Sequence, residues 1–550
     1  MKMFGLRGAL VAVSLIVGTT LLSADEPIQF NRDIRPILAD KCYYCHGQDA
    51  NKREADLRLD ERSAAIDSGA IVPHDSEASE LVARIGSSDP DLIMPPPNSN
   101  RQLTSEQKQL LTRWIAEGAS YETHWAFVKP ERPAAPAVKN EAWIRNPIDR
   151  FVLDKLEAVG LSPSPEADRA TLIKRLSIDL TGLPPTPAEV EVFVQDNDPA
   201  AYDRLVDRLM NSRHYGERMA LPWLDAARYA DSNGFQQDGD TWQWIWRDWV
   251  VQALNDDLPF DQFTIWQLAG DLLPNATDEQ KIASGFNRNH LLNGEGGAIP
   301  EEQRFVILFD RVDTTSTVWL GLTMACAQCH DHKYDPLTKR DYYGMLDAFN
   351  RVPETGTPQR QSARIRVAAP FIELPTEENK RRIAEFDAQI AEAQAELAPL
   401  ADAAFAGWKV GLTANGLPNE TSGLPASLLA LMKKPEGERT DAEKQSLAAD
   451  LRKHFNEKVL SGVAAQHPPL ATAQGKIDSL RRQLAEYRGD QIPRVMVMSD
   501  ERPRDTHILD RGEYLKPLEK VSFATPAFLP SMSDDAAQNR LGLAQWLVAP

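Results

Sequence analysis

Apolar residues recur at helical spacing along most of the chain, and alternating runs typical of strands are sparse. The repeats step by three or four residues, which places them on one face of a helix. They include Ile34-Ile37-Leu38, Leu110-Leu111-Trp114-Ile115, Leu172-Leu176-Leu180 and Tyr202-Leu205-Leu209. Thr104 and Gln107 match a capping box at the start of the second of these helices. The pattern predicts a mainly α protein, with a larger, mostly helical domain behind a small helical module.

The last third of the chain shows two heptad-like seams. One comprises Ile383, Phe386, Ile390, Ala393 and Leu397, and the other comprises Ile477, Leu480, Leu484 and Tyr487. Two such seams around a Gly- and Pro-rich middle predict an antiparallel helical hairpin over 361–490. Arg494–Met498 alternates like a strand, so residues 491–550 are expected to form a small mixed α/β piece.

The N-terminus has the features of a secretory signal peptide. Lys2 and Arg7 precede the apolar run Ala9–Leu22, and small residues precede Asp25. We expect cleavage after Ala24, with an uncleaved anchor as the alternative. The run is short for a spanning helix, and no transmembrane segment is expected in the mature chain. These features predict a periplasmic or secreted protein.

The net charge and the number of cysteines disfavour some classes of binding partner and of fold. The chain has 550 residues and a formal net charge of −19. So acidic a chain is a poor match for nucleic acid or anionic membrane. Four cysteines are too few for a disulfide-rich scaffold.

All four cysteines lie in two copies of one pattern, C-x-x-C-H. The first copy is Cys42–His46 and the second is Cys326–His330. This spacing is the attachment signature of c-type haem, since two thiols bond the vinyl groups and the adjacent histidine ligates the iron. Two haem c groups are expected, on Cys42 and Cys45 and on Cys326 and Cys329, with His46 and His330 as proximal ligands. A structural disulfide at the second pair and a single Cys₄ zinc site are the alternatives.

The distal ligands are predicted from context. Met94 lies in a Pro-stiffened loop before the last helix of a module over 25–122, and a thioether there raises the reduction potential. His74 is the rival, in a context typical of a solvent-facing turn. For the second iron, His290 is the first candidate, followed by His332, Met345 and His214; alternatively the sixth position is open.

Seven tryptophans lie between Trp223 and Trp319, and a Gly-rich loop with His290 and Glu295 lies within the same stretch. Core packing explains the tryptophans, but a haem wall or a sugar-stacking platform is also consistent with them. A role of the tryptophans as a haem wall or a sugar-stacking platform, together with the His290 and Glu295 loop, predicts an oxidoreductase that acts on an extracellular glycan or a small organic molecule. No Ser-His-Asp elbow, P-loop or Rossmann fingerprint is present.

Several stretches resemble one known family. Ile34–Gly47, Met94–Pro97 and Leu103–Gly118 closely resemble the Planctomycete cytochrome C domain. That resemblance implies covalent haem at Cys42 and Cys45 with His46 as proximal ligand, and Met94 falls where the family's Met-Pro-Pro element supplies the distal side. Most of 146–350 is similar to the long domain of unknown function that follows it in Planctomycete secreted cytochromes. Arg502–Arg511 and Asn539–Leu547 resemble the start of their longer C-terminal domain, so either a truncated chain or a split gene is expected at Pro550.

The resulting prediction has six parts. They are a signal peptide (1–24), a cytochrome c-like domain (25–122), a Pro/Ala-rich linker (123–145), a helical cytochrome-like domain (146–360), a hairpin (361–490) and the start of a C-terminal domain (491–550). The expected function is that of an exported di-haem c-type cytochrome that exchanges electrons with a redox partner protein. Catalysis of a reaction on a substrate stays open.

Overall fold

The computed structural model describes residues 27–50, 52–234, 238–357, 359–360, 365–414, 418 and 423–549. The predicted signal peptide and its cleavage point at Ala24 lie outside these residues. The structure is 57% helix and 4% strand, which confirms the mainly α prediction. Among the described residues, no helix combines the length and the apolar character that crossing a membrane requires. The chain divides into two compact units.

The first unit comprises residues 1–164, 329–339 and 527–530. Its helices are α1 Arg35–Lys41, α2 Tyr43–His46, α3 Arg62–Asp67, α4 Glu80–Gly86, α5 Ser105–Ala116 and α6 Pro147–Ala158. Pro36 lies in the first turn of α1, where its missing N–H costs no hydrogen bond. The predicted capping box of Thr104 and Gln107 opens α5.

The core of the first unit joins its terminal helices. The buried faces of α1 and α5 contribute Leu38, Leu111 and Trp114, each at most 2% exposed. Phe30 packs on Trp114 with ring centroids 5.7 Å apart. This core fixes the segment that leads into the first C-x-x-C-H.

The second unit contains the rest of the chain. Its first nine helices are α7 Arg169–Thr181, α8 Pro187–Gln195, α9 Ala201–Met210, α10 Arg213–Ala226, α11 Trp244–Asn255, α12 Phe260–Ala269, α13 Asp278–Ala283, α14 Pro300–Thr315 and α15 Lys339–Phe349, the last of which begins at the unit boundary. The main core lies around α11, α12 and α13 and includes Trp246, Val250, Leu268 and Phe286.

Three small antiparallel sheets follow. They pair β1 Gln359–Arg360 with β2 Arg366–Val367, β3 Phe371–Glu373 with β4 Arg494–Met496, and β5 Thr506–Leu509 with β6 Pro517–Val521. In the middle sheet Phe371 opposes Met496, so the intervening residues form an insertion between two paired strands.

The insertion contains α16 Glu377–Thr413, α17 Ala426–Lys433, α18 Asp441–His454, α19 Leu460–Ala464 and α20 Pro468–Gln491. Asn379 donates to the Tyr487 hydroxyl at 2.9 Å, and Lys476 pairs with Glu396 at 2.9 Å. Because residues early in α16 meet residues late in α20, the two helices are antiparallel, as the seams predict.

The C-terminal segment packs into the second unit. The Arg540 guanidinium in α21 Arg540–Leu547 is fully buried and lies 2.7 Å from both Asp271 and Asp500. It also donates to the Leu268 carbonyl at 2.7 Å. Residues 491–550, which the sequence sets apart as a separate piece, are therefore tied to Asp271 just after α12 by a buried ion pair, and to Leu268 in α12 by a hydrogen bond.

Candidate haem site

The first C-x-x-C-H motif is folded into one helical turn. The Cys42 carbonyl accepts hydrogen bonds from the backbone N–H groups of Cys45 and His46, at 3.1 and 2.9 Å. Gly47 ends the turn, and a Cβ there would lie 2.4 Å from the Tyr43 carbonyl oxygen. The loop that follows folds back, since Leu59 N–H donates to the His46 carbonyl at 2.8 Å. The backbone therefore holds the three side chains of the motif in a fixed arrangement.

These side chains open into a cavity of about 610 Å³ within the first unit. Cys42, Cys45, His46 and Met94 all line it. The remaining wall is largely apolar and includes Leu57, Leu59, Ala70, Leu81 and Ile85. A volume of this size is typical of a cofactor site. The structure thus brings together the two thiols, the imidazole and the thioether that were predicted separately.

The protonation states of the site fit haem c. Burial lowers the pKa of His46, and its Nδ1 is buried with no hydrogen-bond partner among the described residues. The lowered pKa favours the neutral ring, which is the form that ligates iron. Burial raises the pKa of the Cys42 thiol to about 12. Redox-active C-x-x-C thiols have lowered pKa values instead, so the first pair does not resemble a dithiol oxidoreductase.

The structure separates the two rival distal ligands of this site. Met94 lines the cavity, and its N–H donates to the Arg84 carbonyl at 3.1 Å. His74 is exposed and its ring lies against Gly118, where an added Cβ would approach the ring to 2.6 Å. His74 is not among the residues that line the cavity. The thioether is therefore the better placed of the two.

The second C-x-x-C-H motif has different surroundings. It begins in a short 3₁₀ turn, Met324–Gln328, and the side chains of Cys326, Cys329 and His330 are exposed. Nδ1 of His330 lies 2.7 Å from the adjacent Asp331 carbonyl oxygen, which leaves Nε2 for a ligand. The motif therefore presents its reactive groups at the surface.

The segment after the second motif lies against the first one, within the first unit. The Gln48 amide donates to the backbone carbonyls of His332 and Asp335. The Lys333 ammonium lies 4.3 Å from the centre of the Tyr44 ring, which lines the cavity. Gln48 and His332 are each two residues beyond the proximal histidine of their motif.

His290, the first distal candidate for the second iron, is engaged elsewhere. It is only 5% exposed, its Nε2 lies 3.3 Å from Nη2 of Arg311, and its Nδ1 lies 3.1 Å from the Leu291 carbonyl oxygen. Burial lowers its pKa well below the usual value, with Arg311 and Arg288 adding to the effect. Both ring nitrogens are thus used inside the second unit, so His290 is not free to ligate iron in this fold.

The other candidates for that position also have defined surroundings. Met345 is fully buried in α15. His332 accepts a hydrogen bond from Asp335 N–H at 2.9 Å, and His214 lies 2.6 Å from Glu217.

Five tryptophans of the cluster pack in or against the main core, while Trp244 is 38% exposed. Trp246 is fully buried and donates to the Ala283 carbonyl at 3.1 Å, while Trp249 stacks on Phe263 with centroids 5.6 Å apart. Trp223 and Trp319 form an edge contact in the same core. A sugar-stacking platform needs exposed indole faces, so these residues do not provide one. Glu295 is exposed in its loop.

The alternative zinc site is not assembled. Within the described ranges, which include all four cysteines, no group of three or more His, Cys, Asp or Glu side chains is placed to hold a metal ion. A Cys₄ site needs four thiolates at one point.

Sequence reasoning missed the charged residues at the cavity. Lys41, Arg84 and Arg101 line it together with one acid, Glu80. Arg101 lies seven residues beyond Met94, so cations near the Met-Pro-Pro loop were the available signal. Lys333 gave no local signal, because its contact with Tyr44 joins distant parts of the chain.

Comparison with known proteins gives two family matches. Residues 42–98 match the family described as Planctomycete cytochrome C, and residues 147–354 match PSCyt2, a protein of unknown function (DUF1549). No curated protein and no solved structure matches the chain. The first match supports haem as the cofactor of the first motif. The chain carries a Planctomycete cytochrome C domain followed by a PSCyt2 domain, the two domains of the secreted cytochrome family that its motifs resemble.

Proposed function

We propose that the protein is an exported c-type cytochrome whose role is electron transfer. Cys42 and Cys45 would hold haem c through thioether bonds, and His46 and Met94 would ligate its iron. The observation that supports this most strongly is the single cavity lined by both thiols, the imidazole and the thioether. When bound, the haem supplies one-electron redox chemistry, and the protein tunes it through the axial ligands, burial and nearby charge.

The residues of the cavity have separate roles in this proposal. His46 lines the cavity, and burial lowers its pKa, which favours the neutral imidazole. Met94 contributes a thioether, which raises the reduction potential relative to a second histidine. Leu57, Leu81 and Ile85 exclude water from the porphyrin face, which strengthens every charge interaction there.

A second haem, on Cys326 and Cys329 with His330 as proximal ligand, is part of the proposal. It is supported by the repeated C-x-x-C-H spacing and by the exposure of all three side chains, which leaves them open to attachment. No distal ligand is assigned to it. A structural disulfide at this pair is the competing outcome.

Export and a redox partner protein complete the proposal. The N-terminal basic and apolar pattern supports export, and the net charge of −19 disfavours nucleic acid as partner. Oxidation of a glycan finds less support, because five of the seven tryptophans pack in or against the main core, although Trp244 is 38% exposed.

The test is to mature the full chain in a host with cytochrome assembly machinery. Haem-stained gels and pyridine haemochrome quantitation then give the number of haems per chain. Two haems per chain are expected. One haem, retained in C326S/C329S and lost in C42S/C45S, would restrict the proposal to the first motif. A colourless chain would contradict it. Binding of CO to the reduced protein would reveal an open iron position and so favour catalysis on a substrate.

A further inference from the structure

The cavity of the first unit has an unbalanced set of charges at its lining. Three cations line it, Lys41, Arg84 and Arg101, against the single acid Glu80. Arg84 pairs with Glu80 at 2.7 Å, and Lys41 pairs with Asp40 at 2.8 Å. Arg101 has no ion-pair partner among the described residues. An anion in this cavity would therefore find one cation that is not held in an ion pair, although Arg101 also interacts electrostatically with Asp40.

Arg101 is nevertheless held in place. Its Nη1 donates to the Asp40 carbonyl at 2.6 Å, and its guanidinium carbon lies 4.9 Å from the centre of the Tyr44 ring. Tyr44 also lines the cavity. A guanidinium has five N–H donors in a rigid planar fork, so one hydrogen bond leaves most of them available. The guanidinium of Arg101 is therefore fixed, but not held in an ion pair, at a site whose lining is otherwise largely apolar.

We propose that Arg101 is the positioning residue for a haem propionate. This assignment rests on the proposed haem at Cys42 and Cys45, since the propionates are its only carboxylates. The guanidinium donates charge-assisted hydrogen bonds to the propionate, which fixes the orientation of the porphyrin in the cavity. It also keeps the propionate ionised, because an adjacent cation favours the charged form of a carboxyl group.

The electrostatic consequence is a higher and less pH-dependent reduction potential. An unpaired propionate anion would stabilise the ferric state, whereas pairing with Arg101 offsets that charge. The neighbouring cations do not replace the charge of Arg101, because both are paired. Arg84 pairs with Glu80, and Lys41 pairs with Asp40, whose pKa is lowered by this hydrogen bond. Lys333 lies over Tyr44 rather than in the lining.

The test compares three variants of the full chain matured with haem. Arg101→Gln removes the charge, and Arg101→Lys keeps the charge but loses the planar guanidinium. The control, Arg113→Gln, removes an equal charge from α5. Arg113 pairs with Glu117 at 2.7 Å and is not among the residues that line the cavity. The readouts are the reduction potential of the first haem across neutral pH and the haem content of each variant.

We expect Arg101→Gln to lower the equilibrium constant for reduction about tenfold, equal to about 59 mV for one electron. Its potential should also begin to fall with rising pH, while Arg101→Lys stays between it and wild type and Arg113→Gln matches wild type. Equal behaviour of Arg101→Gln and Arg113→Gln would overturn the assignment. So would a wild-type potential that itself follows a propionate titration near neutral pH, a measurement that needs no variant. A wild-type chain without haem would instead reject the proposed function.

Discussion

The two C-x-x-C-H motifs have the same pattern and different surroundings. The first is a helical turn inside a packed module, and its side chains line a cavity of about 610 Å³ that also contains Met94. The second begins in a short 3₁₀ turn and exposes Cys326, Cys329 and His330. The motif itself specifies covalent attachment and one axial ligand. The cavity of the first motif, Met94 and the nearby charges come from the rest of the fold.

The largest expected effect is the loss of haem when the cysteines of one motif are substituted. C42S/C45S should remove all haem from the first unit, because no thiol is left to form a thioether. C326S/C329S should leave that haem in place. Pyridine haemochrome quantitation per chain measures both. Equal loss in the two double variants would show that the motifs do not mature independently.

Removing Met94 should change the coordination of the first iron. Met94→Ala should lower the reduction potential by more than the ~59 mV of a tenfold change, since the thioether raises it and its loss opens a position to water. His74→Ala is the matched control and should leave the potential unchanged, because His74 lies against Gly118 outside the cavity. Spectropotentiometry and the absorption spectrum of the oxidised protein check both. A shift in His74→Ala alone would reverse the ligand assignment.

Substitutions in the buried cluster around His290 should change the stability of the fold and not the properties of the haem. Glu354 lies 2.6 Å from Arg311 and 2.9 Å from Arg288, and all three side chains are at most 3% exposed. Removing one partner of a buried ion pair costs about 3–5 kcal/mol. Glu354→Gln should therefore lower the free energy of unfolding by that amount, measured by denaturant titration. Glu385→Gln on exposed α16 is the control and should change it by less than about 0.5 kcal/mol.

The same cluster predicts a pH dependence with a definite sign. Burial works against ionisation of Glu354, but Arg311 and Arg288 overcome it and lower its pKa to about 2. The unfolded value is about 4.3. Its contribution to stability is therefore present above that value and is lost as the pH falls from there towards 2. In Glu354→Gln this part of the acid dependence should disappear; an unchanged acid limb would contradict the buried ion pair.

The variant His290→Ala distinguishes a structural role of His290 from a role as an iron ligand. His290→Ala should lower the free energy of unfolding by about 1–3 kcal/mol, since Arg311 loses a buried hydrogen-bond partner. The absorption spectrum of the haems should stay unchanged. A spectral change to a high-spin iron would show that His290 ligates iron in the mature protein, contrary to its partners in this fold.

The smallest effect concerns the segment that follows the second motif. Lys333 places its charge 4.3 Å from the Tyr44 ring, and both are partly exposed to solvent. Lys333→Gln should lower the potential of the first haem by less than Arg101→Gln does, because solvent and salt screen the charge. Lys52→Gln, at an exposed lysine of the same module, is the control. An effect equal to that of Arg101→Gln would place Lys333 at the haem itself.

The residues that line the first cavity were largely predictable from the local sequence, whereas their roles at a haem stay predictions. Cysteine spacing identifies Cys42, Cys45 and His46, and proline context identifies Met94. The partners of His290 were not predictable, since Arg311 and Glu354 reach it only through the fold. The same holds for Arg540, whose partners Asp271 and Asp500 are distant in sequence. Helical periodicity predicted the hairpin, but it could not distinguish buried tryptophans from a binding surface.

Covalent attachment at the first motif is tested most directly by mass spectrometry of the peptide Cys42–Lys52, taken from protein matured with cytochrome assembly machinery. We expect this peptide to carry the added mass of one haem bonded through both cysteines. An unmodified peptide, or one in which Cys42 and Cys45 are joined to each other, would contradict the haem site.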